Sequence, residues 1–207
     1  MVDVDFFFDP ICPWAWITSR WVEEVASQRA LEVDWRFIAL RFVNEERYAQ
    51  MAPRYAESHQ LGLRLLRVAA GAKTEGGAEA AGRVYTAVGG AIHVEGRRDD
   101  LSDPAALEKL LEASGLPASL AKAADDESLD ATIRSDTDEA LARTGKDVGT
   151  PIITFTPPDG PSFFGPVISR IPRGEEAVGL WDSVERLARF PGFFELKRSV
   201  RERPQTS

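Results

Sequence analysis

Val2, Val4, Phe6 and Phe8 alternate with Asp3, Asp5 and Phe7, a period-two pattern that predicts a β-strand with a well-buried face. The pattern stops at Asp9-Pro10. From Pro13 the apolar residues Ile17, Trp21 and Val25 recur every four residues, so a helix opens directly behind the strand, with proline at its first turn. Leu31, Val33, Trp35 and Phe37 then alternate with Glu32, Asp34 and Arg36 and predict a second strand. Two strands joined through a helix form a right-handed βαβ crossover, so they should be parallel. No all-helical or all-β architecture accommodates that opening.

The chain changes character after this unit. Residues 44–126 are rich in Ala, Leu, Arg and Glu, with Leu61, Leu65 and Ala69 on one helical stripe and Leu107, Leu110 and Leu111 on another. They predict a helical insertion, with a glycine-rich stretch at Lys73–Gly82 as a mobile joint. Asp103-Pro104 reads as a cap followed by proline, and Gly115 and Gly145 as helix ends. Pro151–Thr156 and Ser162–Ile168 flank Pro157-Pro158-Asp159-Gly160, which predicts an antiparallel hairpin. Ala177, Leu180, Trp181, Val184 and Leu187 form the stripe of a last helix, opened by Glu175 and Glu176. The expected organisation is α/β, βαβ then ββα with an all-helical insertion, divided as 1–43 with 127–207 and an inserted 44–126.

Composition narrows the function classes. The 33 acidic residues outnumber the 25 basic ones, and a net charge of −8 disfavours nucleic-acid binding. No window approaches the roughly 18 apolar residues of a membrane span and no signal segment is recognisable, so a cytoplasmic protein without membrane contact is expected. Two histidines and a single cysteine, not clustered, disfavour a structural metal site.

That cysteine is Cys12, within Phe8-Asp9-Pro10-Ile11-Cys12-Pro13-Trp14-Ala15-Trp16. It sits where a strand ends and a helix begins, the place where reactive groups of α/β sheets collect. Unsatisfied helix N–H groups lower a cysteine pKa from about 8.5 into roughly the 3.5–7.5 range, so a thiolate is expected at neutral pH. The alternative, a buried inert thiol, is common for free cysteine. Asn44, Tyr55 and His93 are polar candidates to line a pocket beneath the insertion. Arg97-Arg98 before Asp99-Asp100 reads as solvated surface.

The chain resembles the DsbA-like disulfide oxidoreductases of the thioredoxin superfamily, whose Cys-Pro-x-Cys motif opens the first helix. The resemblance spans nearly the whole chain and includes Gly149-Thr150-Pro151, which matches the cis-proline loop before the third strand. The stretches DPICPWAWITSRW and GPVISRIPRGEEA are most similar to the actinobacterial mycothiol-dependent nitroreductase and FrnE-like branch. The resemblance implies a thioredoxin-like fold and a nucleophilic Cys12. It also implies an exposed Trp14, and a substrate edge built from Pro13, Trp14, Thr150 and Pro151. Mycothiol is the implied co-substrate, with no tightly bound cofactor, and the partner is a disulfide or electrophilic small molecule, reduction of nitro compounds being the branch-level extension. A homodimer stays open.

Ala15 departs from that pattern, standing where the second, resolving cysteine belongs. Cys12 can then form a mixed disulfide but no neighbouring thiol can release it. Either this is a natural monothiol enzyme or alanine was introduced to trap the adduct. Two other readings compete. One is an enzyme like glutathione transferase kappa or hydroxychromene-carboxylate isomerase, which usually carry serine at the first motif position. The other is a peptide-binding module using the cis-proline groove.

Overall fold

The computed structural model describes residues 2–199 and 202–207. Its sheet has the order β2-β1-β3-β4. β1 (Val4–Phe8) pairs in parallel with β2 (Val33–Phe37), Phe6 lying opposite Trp35. β3 (Ile152–Phe155) runs antiparallel to β1, with Phe6 opposite Ile153, and β4 (Ser162–Phe164) closes the hairpin. β4 is shorter than the apolar run Ser162–Ile168 predicts. Gly165 adopts φ 98° and Pro166, joined to it by a cis bond, has no N–H to continue the ladder.

All five residues of β1 are buried, because helices cover both sheet faces. Phe6 and Phe8 join the larger core with Trp16, Trp21, Trp35, Tyr85 and Trp181, whereas Phe7 packs on the opposite face with Ile38, Ala140 and Ile152. Even Asp5 is buried, its charge met by Arg36 and Arg143 at 3.3 Å each. On the large-core face, α1 (Pro13–Arg29) and α6 (Gly174–Ala188) are tied by the Trp21 indole N–H, which donates to the Ala177 carbonyl at 2.8 Å. On the other face, α5 (Asp130–Thr144) ends at Gly145, φ 103°, as its glycine predicts.

The intervening residues are helical. A four-residue α2 (Leu40–Val43) leads through a short turn into α3 (Pro53–His93), and α4 (Pro104–Ala113) follows. Asp103 caps α4 by accepting from the Ala105 N–H at 3.0 Å. The glycine-rich stretch lies inside α3, whose backbone leaves helical geometry only at Gly76 and Gly77, the latter at φ 72°. Beside that break Lys73 is held, with Nζ 2.5 Å from Asp34 and donating to the Trp35 carbonyl at 2.9 Å. Among the described residues no helix is long and apolar enough to cross a membrane.

Candidate active site

β1 hands the chain to α1 through a single turn, Asp9 to Cys12, closed by the Cys12 N–H donating to the Asp9 carbonyl at 3.0 Å. Cys12 is the N-cap residue of α1, with extended φ/ψ, and Pro13 occupies the first turn, where its missing N–H costs nothing. The thiol lies 3.5 Å from the Thr150 carbonyl oxygen, towards which its S–H points. Thr150–Pro151 is a cis peptide bond, and the Thr150 hydroxyl donates to the Phe7 carbonyl at 3.1 Å. Residues 138 positions apart thus meet at one end of the sheet.

The electrostatics differ from the expectation of a ready thiolate. Burial pushes the Cys12 thiol up to about 12, and the Asp9 carboxylate adds to that; the Ala15 and Trp14 N–H groups pull the other way without prevailing. The helix end supplies the stabilising donors, but only 8% of the residue is exposed, so the charged form loses its water. Trp14 is half-buried against the core rather than exposed, and Ala15 is fully buried beneath the first turn of α1.

The three polar candidates fall in two places. Asn44 ends α2, its side-chain amide donating to the Leu40 carbonyl at 2.9 Å. Tyr55 is 43% exposed, its ring tilted against His59 at 6.3 Å. His93 lies elsewhere, at the end of α3: its Nε2–H donates to the Pro10 carbonyl at 2.8 Å and its ring stacks on Trp16 at 5.8 Å. Burial first, then the charge of Arg98, hold its pKa down at about 4 against the hydrogen bond to Pro10, leaving the ring neutral at pH 7. His93 therefore braces the turn carrying Cys12 as an uncharged donor.

Several site neighbours escape a reading of the sequence. Asp9 is fully buried and accepts from the Ile11 N–H at 3.0 Å and the Leu40 N–H at 2.8 Å, joining the cysteine turn to α2. Burial raises its pKa to about 6, against those two hydrogen bonds. Apolar residues on both sides, Phe6 to Phe8 and Pro10-Ile11, were the available signal for a buried acid. His59, also buried, has Nδ1 3.0 Å from the Tyr48 hydroxyl, which in turn reaches the Leu40 carbonyl at 3.2 Å. Residues 202–207 return to the same region: the Trp16 indole N–H donates to the Thr206 carbonyl at 3.1 Å, and the Thr206 hydroxyl donates to the His93 carbonyl at 2.6 Å. No local pattern announces that contact.

Among the described residues no group of three or more His, Cys, Asp or Glu could hold a metal ion. The arrangement instead offers one sulfur, helix N–H donors beside it, and the carbonyl edge of Thr150.

Comparison with known proteins agrees with this chemistry. An uncharacterized protein of Mycobacterium tuberculosis, Rv2286c, is 33% identical over 199 residues, covering 96% of this chain and 82% of the relative. Among solved structures, a 2-hydroxychromene-2-carboxylate isomerase superimposes with TM-score 0.59 at 19% identity, covering 91% of this chain and 97% of the other. The cytosolic disulfide reductase DsbM from Pseudomonas aeruginosa gives TM-score 0.56 at 20% identity, covering 89% and 99%. At those identities the likeness shows the fold, which is thioredoxin-like with added helices. Residues 11–198 match the Rv2466c-like family, described as mycothiol-dependent nitroreductase Rv2466c. The chain belongs to that family of thiol-dependent oxidoreductases.

Proposed function

We propose that this protein is a cytoplasmic, monothiol member of its family, in which Cys12 is the sole nucleophile and mycothiol is the co-substrate. The reading divides the chain as 1–43 with 127–207, carrying the sulfur, and an inserted 44–126. The observation that carries it is the meeting of Cys12 Sγ with the Thr150 carbonyl, 3.5 Å away, at the N-terminus of α1. An extended substrate backbone can pair along that carbonyl edge while its sulfur faces Cys12.

The resting thiol is buried and protonated, so attack follows its exposure to a base or to solvent. The thiolate attacks one sulfur of a disulfide; a new sulfur–sulfur bond forms as the old one breaks, and the leaving thiolate takes up the proton. With alanine at 15, the adduct waits for a second thiol from solution. A mycothiol thiolate attacks the substrate sulfur of the adduct, the Cys12 thiolate leaves and is reprotonated, and a substrate–mycothiol disulfide is released; a second mycothiol attacking that disulfide frees the other substrate thiol, so the two electrons gained by the substrate come from two mycothiols that end as mycothiol disulfide. Nitro-compound reduction is the family's extension of this chemistry, with thiols as the electron source.

Intact-mass spectrometry tests the reading. Protein incubated with mycothiol disulfide should gain one mycothiol residue, hold it after the small molecules are removed, and lose it on adding mycothiol. Cys12→Ser protein should gain nothing. Unmodified wild-type protein under these conditions would contradict the assignment.

A further inference from the structure

Residues 202–207 lie outside any helix or strand, yet they are seated across three parts of the fold. The Gln205 N–H donates to the Ser169 carbonyl at 2.7 Å, in the loop behind β4, and the Ser169 hydroxyl donates to a Glu202 carboxylate oxygen at 2.8 Å. Thr206 then bonds in two directions. Its carbonyl accepts from the Trp16 indole N–H of α1 at 3.1 Å, and its hydroxyl donates to the carbonyl of His93, the last residue of α3, at 2.6 Å. The segment therefore runs from the loop behind β4 to the end of α3 and meets α1 one turn beyond Cys12.

Both residues that Thr206 holds are themselves bonded to the cysteine turn. The Trp16 backbone N–H donates to the Cys12 carbonyl at 3.0 Å, and the His93 ring donates to the Pro10 carbonyl at 2.8 Å. The Trp16 indole has little room to move. The Arg20 guanidinium lies over its ring at 4.2 Å, His93 stacks on it at 5.8 Å, and a Cβ at Gly89 of α3 would lie 2.4 Å from it. Thr206 completes that enclosure and joins α1 to α3 at the turn whose cysteine is only 8% exposed. The segment itself is lightly held: Pro204 and Thr206 are partly buried, while Glu202, Arg203, Gln205 and Ser207 are exposed. A stretch with so few buried contacts is the part of a fold that opens at least cost.

We propose that residues 202–207 are a strap that keeps the cysteine turn closed in the resting protein, and that Cys12 reacts from the form in which this strap has left Trp16 and His93. The proposal rests on Cys12 being the exchanging sulfur and supplies the step that exposes it. Release frees the Trp16 indole and the end of α3 together, so both supports of the turn loosen in one local opening.

The test uses the full chain and two single variants. Thr206→Val removes the hydroxyl donor and keeps the side chain's shape, and Gln205→Pro removes the N–H that Ser169 accepts. Solvent exchange of the Trp16 indole N–H, followed by NMR, reads the strap. The rate of Cys12 alkylation by iodoacetamide, in which the thiolate displaces iodide, reads the sulfur. Each variant should speed both by a common factor of roughly tenfold, the weight of about one net hydrogen bond in an opening equilibrium. Backbone exchange at Phe6, in the interior strand β1, should stay as in wild type. Faster indole exchange with unchanged alkylation would show a segment that does not govern the sulfur and overturns the proposal, as does no change in either rate. Should Thr206→Val loosen the whole fold, seen as equal acceleration at Phe6, Gln205→Pro carries the comparison, and the same result there overturns the strap. If the variants alkylate faster and yet neither they nor wild type take up mycothiol from its disulfide, the strap stands and the proposed function fails.

Discussion

At the scale of single residues, the reactivity of Cys12 is a contest between helix donors and desolvation. The N–H groups of Trp14 and Ala15 favour the thiolate, but burial and the Asp9 charge hold the thiol near 12. Asp9→Asn removes the negative charge, so the midpoint of Cys12 alkylation against pH should fall; an unchanged or higher midpoint would show that Asp9 does not act on the sulfur. Because asparagine presents one acceptor where Asp9 uses two, the variant should also lose about 1–3 kcal/mol of stability in urea unfolding. His93 has the opposite pH signature. Its folded pKa of about 4 lies below the ordinary 6.5, so an unfolded chain takes up a proton that the folded chain refuses. The stability His93 contributes is complete above pH 6.5 and is lost as pH falls towards 4, by an amount on the order of 1–3 kcal/mol. Asp9 works the other way, favouring the fold below pH 3.8 and disfavouring it as pH rises through 6. A His93→Gln variant should therefore be less stable than wild type at pH 7, with the gap closing at pH 4.5. A gap constant with pH, in urea unfolding at both values, would contradict a buried neutral imidazole.

At the scale of elements, what was legible in the sequence is what local chemistry controls. The alternation of Val4 to Phe8 and the four-residue spacing from Pro13 give β1 and α1, and Asp103 and Gly145 mark helix ends, because each signal acts on its own few residues. The end of β4 at Phe164 follows from Gly165 and Pro166 directly behind it, and together with the continuation of α3 through its glycines it is something apolar patterning alone does not report. The same holds at the site. Cys12, Pro13, Thr150 and Pro151 could be picked out by motif, whereas Asp9 and His59 are tied to the same region by partners in other elements. Packing of α3 onto α1 supplies a matched test. A Cβ at Gly89 would lie 2.4 Å from two ring carbons of Trp16, a side chain fixed between Arg20, His93 and Thr206, while at Gly90 it would meet nothing within 4 Å. Gly89→Ala should destabilise by about 1–2 kcal/mol net, overpacking outweighing the gain in helix propensity. Gly90→Ala should be neutral or stabilising by up to about 1 kcal/mol. Equal effects of the two in urea unfolding would contradict the close helix contact.

At the scale of the molecule, a thioredoxin-like sheet with added helices gathers one sulfur, one carbonyl edge and one turn at the same end, and residues 202–207 lie against that end through Trp16 and His93. With a single cysteine in the chain, every thiol exchange at this site must be completed by a thiol from outside. The most direct measurement is the intact mass of wild-type and Ala15→Cys protein after a brief exposure to a small disulfide and removal of the excess. Positions 12 and 15 are three residues apart at the start of α1, within the roughly 4.4–6.8 Å Cα separation that a disulfide spans. Wild type should retain the adduct, while Ala15→Cys should shed it and appear two hydrogens lighter than its reduced form. If Ala15→Cys keeps the adduct as long as wild type does, or if neither protein acquires one, Cys12 is not the attacking sulfur of a resolvable exchange and the account fails.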